Sequence, residues 1–286
     1  MQLGYHTGGL TQHEIFSGLN LLADIGYQSV AISIDFGWLS PSDHDVHESV
    51  QRVRAELKAR KMTSVVEATA NYLLDANRPN WPTLMETDPG LVEARMRYLK
   101  YCVDVASELG SVCMSLRSGP KPEGVTFDDA MNRLVEGLFE VLQYAAEQDV
   151  QLAVEPEPGM LIDTLGRYER LLHLLDSPRL GLTMDVGHVF FSNELPFDSQ
   201  VEKWIEKMVN VHIEDIHGRQ HRHLPPGAGS INFELIMESL VKNGYAGPVH
   251  VDLNEHAHVG PEMARQCHGQ LLPMIQKAIR CRGEIS

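Results

Sequence analysis

The chain has 286 residues, 43% of them hydrophobic, with 39 acidic against 24 basic side chains and a formal charge of −15. This composition is that of an ordinary globular protein, and the acidic balance argues against a surface that tracks a phosphate backbone, so no nucleic-acid partner is expected. No apolar run approaches the roughly 20 residues that span a bilayer, so no membrane partner is expected either.

The N-terminus, Met-Gln-Leu-Gly-Tyr-His, enters a strand with no basic and apolar leader, which predicts a cytoplasmic protein. Cys102, Cys113, Cys267 and Cys281 form no Cys-x-x-Cys pair and read as reduced thiols. A homo-oligomer is compatible with the sequence.

Strand-type and helix-type patterns alternate from end to end. Gln2–His6 reads as a strand and Thr11–Ile25 as a helix, with Thr11 and Glu14 spaced as a capping box. Ser29–Ile34 is a second strand. Asp45–Arg60 is a second helix, with Val46, Val50, Val53 and Leu57 on one stripe. Ser64–Glu67 is a third strand, followed by a Pro- and Asn-rich loop over residues 68–90 that contains Trp81. Leu91–Leu109 is a helix stopped by Gly110. Ser111–Leu116, Leu152–Glu155, Leu180–Asp185, Val209–His212 and Val249–Leu253 read as the remaining strands. Phe127–Gln148, Thr164–Asp176, Gln200–Lys207, Phe233–Asn243 and Pro261–Ile279 read as the remaining helices.

Eight strand–helix units predict an α/β fold, a single (β/α)8 barrel domain over residues 1–286. An open doubly wound sheet is the alternative, but Gly8-Gly9 is too little to serve as its Gly-rich turn.

In a barrel, strand residues alternate between the helix layer and the interior. Placing the bulky apolar residues outward puts a polar residue at the last inward position of every strand: His6, Asp35, Glu67, Arg117, Glu155, Asp185, His212 and Asp252. These converge on the C-terminal mouth, where barrel enzymes keep their active sites. His250, one inward layer below Asp252, reads as barrel interior.

Glu155, Asp185, His212 and Asp252 lie on four successive strands. Three carboxylates and an imidazole suit a divalent ion such as Mn, Mg, Co or an Fe/Zn-like metal; without a cation they would repel one another. The bland reading is a rim of separately hydrogen-bonded polar groups. Glu157, His188, His223, Arg117, Glu67 and His6 are candidate substrate contacts, and Trp81 a candidate cover for the pocket. Arg117 and Arg222 are the candidates for holding an anionic group, and an exposed basic loop is an equal reading of His221, Arg222 and His223. Glu214 and Asp215, just past His212, read as solvated loop carboxylates or as groups that orient its ring. No phosphate-loop, Gly-x-Ser-x-Gly or His-Glu-x-x-His motif occurs.

The segments Val154-Glu155-Pro156, Met184-Asp185-Val186-Gly187-His188, Asn210-Val211-His212 and the strand-eight acid resemble the xylose-isomerase-like barrel superfamily. So does His223-Leu-Pro-Pro-Gly-Ala-Gly-Ser-Ile-Asn-Phe233, which is similar to that superfamily's His-x-x-x-Gly-x-Gly-x-Ile/Val-Asp/Asn-Phe signature. The superfamily holds sugar (phosphate) isomerases and epimerases, inosose and 3-dehydroshikimate dehydratases, and endonuclease-IV-type enzymes.

The resemblance implies one divalent metal ion (Mn, Mg, Co or Zn) on Glu155, Asp185, His212 and Asp252, with Glu155 and Asp252 as the acid–base pair. Asp252 is one methylene shorter than the Glu usual at that position. The implied activity is isomerisation or epimerisation of a polyhydroxylated carbonyl compound through a metal-stabilised enediolate. A dehydratase on an inosose- or dehydroshikimate-like substrate is the alternative. A DNA-repair endonuclease and a non-catalytic binding barrel are the more distant ones.

Overall fold

Alternation of greasy and small or polar residues makes each short β-segment two-faced, and the chain resolves this by burying both faces. The computed structural model describes residues 1–218 and 220–283. Its strands are β1 (Gln2–His6), β2 (Ser29–Ser33), β3 (Thr63–Glu67), β4 (Met114–Arg117), β5 (Leu152–Glu155), β6 (Leu180–Asp185), β7 (Met208–Ile213), β8 (Asp215–His217), β9 (Gln220–Leu224) and β10 (Pro248–Val251). The helices are α1 (Ile15–Ile25), α2 (Val46–Arg60), α3 (Pro89–Leu109), α4 (Phe127–Glu147), α5 (Leu165–Leu175), α6 (Val186–Phe191), α7 (Phe197–Trp204), α8 (Phe233–Lys242) and α9 (Gly260–Gly283). Eight strands close into a barrel in the order β1-β10-β7-β6-β5-β4-β3-β2, with β8 and β9 forming a separate hairpin. The barrel expected from the eight-fold alternation is therefore present.

Two compact units make up the chain. Met1–Ala31, Arg60–Thr63 and Leu182–Ser286 form one, and Ile32–Ala59 and Ser64–Gly181 the other.

In the first unit β1 pairs with β10, β10 with β7, and β7 with β6, all parallel. Gly4 pairs with His250, His250 with His212, and His212 with Asp185, so these four positions face the same side of the sheet. Their neighbours Leu3, Tyr5, Val211, Ile213, Val249 and Val251 are at most 1% exposed, as the outward, helix-covered register requires. His250 is the fully buried interior residue the register predicted. Asp252 stands one layer above it, just past β10, with its amide donating to the Ile213 carbonyl at 2.9 Å.

In the second unit Glu67 pairs with Ser115 across β3 and β4, and Arg117 with Glu155 across β4 and β5. α3 is capped by Asp88, whose side chain accepts from the Gly90 amide. It ends at Gly110 in the left-handed conformation, as expected.

The structure departs from the sequence reading at several places, β4 among them, which starts at Met114 rather than Ser111. Thr11 does not cap α1: Thr7–Leu10 form a 3-10 turn, and Glu14 becomes the cap, accepting from the Phe16 and Ser17 amides at 3.0 and 2.9 Å. α7 begins at Phe197, three residues before the expected start, because Phe197, Val201 and Trp204 supply its buried face. α6 and the β8–β9 hairpin were read as loop. Both are too short for a periodic pattern; α6 is started by the Asp185 cap, and the hairpin is held by contacts distant in sequence.

Asp215 shows how. It is fully buried, and its carboxylate accepts from the amides of Gly227 and Gly229 at 2.9 Å and of Ile231 at 3.0 Å. A Cβ on Gly229 would collide with Asp215 and with the Ile216 carbonyl. The Gly-x-Gly-x-Ile spacing thus wraps a loop around one carboxylate. Asp215→Ala strands buried amide donors and should cost on the order of 3 kcal/mol. Urea denaturation checks this, and an unchanged midpoint would refute the clamp.

Candidate active site

β6 ends on Asp185 because its last residue also starts α6. The Asp185 carboxylate accepts from the His188 amide at 2.8 Å, the side-chain cap of a helix N-terminus. This arrangement buries Asp185 (2% exposed) while providing a donor for a charge that would otherwise be costly. Its register partner His212 is 1% exposed.

His6, at the tip of β1, lies edge-on to His212 with ring centroids 5.6 Å apart. Its Nδ1 accepts from the Gly8 amide at 3.0 Å. The 3.4 Å separation between that nitrogen and Asp252 Oδ1 therefore places two acceptors side by side in the neutral imidazole, rather than a hydrogen-bonded pair.

Glu214 is fully buried, which corrects its reading as a solvated loop carboxylate. Asp215 is corrected in the same way. One Glu214 oxygen contacts Nδ1 of His223, and the other lies 3.8 Å from His188 Nε2 and 3.9 Å from His221 Nε2. His223 Nδ1 is also 3.5 Å from Asp252 Oδ2. A Cβ on Gly187 would collide with the Glu214 side chain, so the glycine before His188 makes room for this carboxylate. His188, Glu214, His221 and His223 form a group of potential metal ligands with one donor atom each, all within 4.8 Å of one another. The sequence reading took His188 and His223 as candidate substrate contacts and Glu214 as a solvated carboxylate or a group that orients His212. The β8–β9 hairpin folds His221 and His223 back onto Glu214.

Burial by itself would lower the His223 pKa. The Glu214 carboxylate, followed by Asp252 and Asp185, outweighs it and holds the ring well above 6.5. His250 is held well below 6.5, by burial first and by the neighbouring His212 and His6 second.

Among the other candidates, Glu155 and Glu67 are buried at the ends of β5 and β3. Arg117 donates to Glu157 at 2.6 Å, with both side chains mostly buried. Trp81 lies under the Arg78 guanidinium, 4.8 Å from the ring centroid. Arg222 is exposed and donates to Glu255 through Nε and Nη2, at 3.1 and 3.0 Å.

A group whose folded pKa is raised stabilises the fold fully below its unfolded value, and that contribution is lost as pH rises through the folded value. His223 should therefore stabilise the metal-free protein most below pH 6.5 and progressively less in the alkaline range. Melting curves of wild type and His223→Gln across pH should converge on the alkaline side; a constant difference would exclude this coupling.

Similarity to known proteins places this geometry. Residues 19–269 match the family described as xylose isomerase-like TIM barrel. L-ribulose-5-phosphate 3-epimerase from Escherichia coli O157:H7 is 23% identical, over 82% of this chain and 80% of that protein. Inosose dehydratase from Clostridium botulinum is 26% identical, over 42% of this chain and 46% of its own length, so the chain spans under half of that relative. In fold, the chain is similar to an L-ribulose 3-epimerase structure (TM-score 0.79, 17% identity, 100% of this chain and 98% of that one). It is also similar to a zinc-bound IolI protein (TM-score 0.77, 16% identity, 97% and 99%). The barrel order, the Asp185–His212 pair at its strand ends and the match over residues 19–269 together show that this chain belongs to the xylose isomerase-like TIM barrel family.

Proposed function

We propose that the protein is a metal-dependent isomerase or epimerase acting on a sugar, a sugar phosphate or a related polyhydroxy carbonyl compound. The observation that carries this reading is the buried Asp185–His212 pair, in register at the C-terminal ends of adjacent strands, where barrel enzymes place their chemistry. The curated epimerase relative, matched over four-fifths of its length, supports the reaction class. The structure contains no helix long and apolar enough to cross a membrane among its described residues.

The proposed ligands are Glu155, Asp185, His212 and Asp252. The first three are buried and each offers a ligand atom, and Asp252 is 7% exposed. The donor set fits a divalent ion, since buried carboxylates need a cation or donors and an imidazole adds affinity for Mn, Co or Zn. When bound, such an ion supplies Lewis-acid polarisation of a carbonyl oxygen.

In this reading Glu155 takes the proton from the carbon beside the carbonyl, and Asp252 is the second acid–base group. Glu157, His188 and His223 bind substrate hydroxyls, and His6, Glu67 and Trp81 complete the pocket. Arg117 and Arg222 are each paired with a carboxylate, Glu157 and Glu255.

The likeness to inosose dehydratase favours a second outcome on the same site, loss of a leaving group in place of reprotonation. The group around Glu214 favours a third, a multi-metal endonuclease. One metal equivalent per chain and no nicking of abasic DNA would exclude the endonuclease.

Wild type loaded with Mn should exchange solvent deuterium into one or more members of a ketose and inosose panel. Glu155→Gln should lower that exchange by roughly 10²–10⁴-fold. Absence of exchange with any member under Mn, Mg, Co or Zn would overturn the proton-transfer reading. Asp185→Asn and His212→Gln should each lose bound metal by elemental analysis while keeping the wild-type circular dichroism spectrum. Full retention of metal in both would remove them as ligands.

A further inference from the structure

Glu214 comes just before β8, and His223 lies in β9. The hairpin pairs Asp215 with Leu224, and Glu214 and His223 each precede one member of that pair, which brings the two side by side. Glu214 is fully buried and His223 is 8% exposed. The His223 ring turns Nδ1 toward three oxygens. One belongs to the Glu214 carboxylate, which it contacts directly. The second is the Asp252 carbonyl oxygen at 3.2 Å, and the third is Asp252 Oδ2 at 3.5 Å.

These neighbours decide which nitrogen carries a proton. A backbone carbonyl only accepts, and so does an ionised carboxylate. A bare Nδ1 would set its lone pair against theirs and leave buried acceptors facing one another. Nδ1 is therefore a donor. The same holds for the neutral ring and for the imidazolium, since each carries that proton. Nε2 sits on the opposite edge of the ring, away from these three oxygens, and is the atom left for a ligand.

Glu214 is itself held in place. A Cβ on Gly187 would overlap its side chain, so the carboxylate fills the space the glycine leaves. The next residue, Asp215, is fixed by the amides of Gly227, Gly229 and Ile231. The carboxylate is thus a fixed acceptor, the kind of outer partner that sets the tautomer and angle of an imidazole.

We propose that Glu214 is a positioning residue, which accepts a hydrogen bond from Nδ1–H of His223 and fixes that ring with Nε2 as the atom that meets a substrate hydroxyl. The orientation stands on the contacts of Nδ1 alone. Its use in substrate binding rests on the proposed reading of the site as one for polyhydroxy carbonyl compounds.

The test uses the full-length chain with Mg, a diamagnetic member of the proposed metal set, and isotopically labelled histidine. A two-bond proton–nitrogen correlation spectrum reads each ring, with the His223 signals identified by their loss in His223→Gln. A protonated Nδ1 is expected, and a ring protonated on Nε2 alone overturns the proposal. Glu214→Leu removes the acceptor, whereas Glu214→Gln keeps a carbonyl oxygen of the same reach. The first should lose Nδ1–H population and the second should keep it. An unchanged pattern in Glu214→Leu would credit the Asp252 carbonyl and overturn the role of Glu214. Should Glu214→Leu fail to fold, Glu214→Ala takes its place, and the wild-type spectrum still decides the orientation.

For whichever ketose or inosose exchanges deuterium with the wild type, Glu214→Leu should raise KM about 10-fold, the worth of one hydrogen bond. Glu214→Gln should keep the wild-type KM, and an unchanged KM in Glu214→Leu overturns the positioning role. A second zinc equivalent per chain that Glu214→Leu loses would make Glu214 a ligand and overturn it as well. A wild type that shows Nδ1–H at His223 and exchanges into no panel member overturns the functional reading and not the orientation.

Discussion

Burying a carboxylate is the constraint on which the mouth of this barrel depends. An ionised carboxylate out of water needs donors or a cation, and the first unit buries four among its described residues: Asp185, Glu214, Asp215 and Asp252. Each is provided for differently. Asp185 takes the first turn of α6 through the His188 amide. Asp215 takes the amides of a glycine-rich loop. Glu214 collects three imidazoles around itself. Asp252 stands near His6 and His223. The short helix, the hairpin and the Gly-Ala-Gly loop are therefore built around these charges.

This distribution separates two kinds of carboxylate. Asp215 spends its oxygens on backbone amides and so reads as architecture. Asp185 stands in register beside His212 at the end of its strand. Barrel interiors are packed layers of side chains, and here the row of His212, Asn210, His250 and Ser29 makes part of that packing polar.

Much of the barrel was legible in the chain. The alternation of Leu180, Leu182 and Met184 with Gly181, Thr183 and Asp185 orients β6, and the same test orients β1, β7 and β10 correctly. Asp88 before α3 and Gly110 after it mark that helix by local chemistry alone. Thr11 misled because its spacing to Glu14 fits a capping box, while the chain instead spends Thr7–Leu10 on a 3-10 turn and starts α1 later. Glu214 and Asp215 misled because two adjacent acids after a strand look like solvent-facing loop. Nothing local shows that a loop more than ten residues later will bring amides to one, and that a hairpin will bring histidines to the other.

Periodicity and strand-end chemistry in the sequence determine the family fold, the inward and outward faces of the strands, and the candidacy of Asp185, His212, Glu155 and Asp252. These are properties of residues within a few positions of one another, and side-chain alternation along a strand reports them directly. The tertiary structure alone decides that Asp215 holds a loop, that Glu214 is enclosed by His188, His221 and His223, and which nitrogen of His223 faces Glu214. Those depend on contacts between segments far apart in the chain, and on the rule that each buried donor or acceptor must find a partner wherever the fold supplies one.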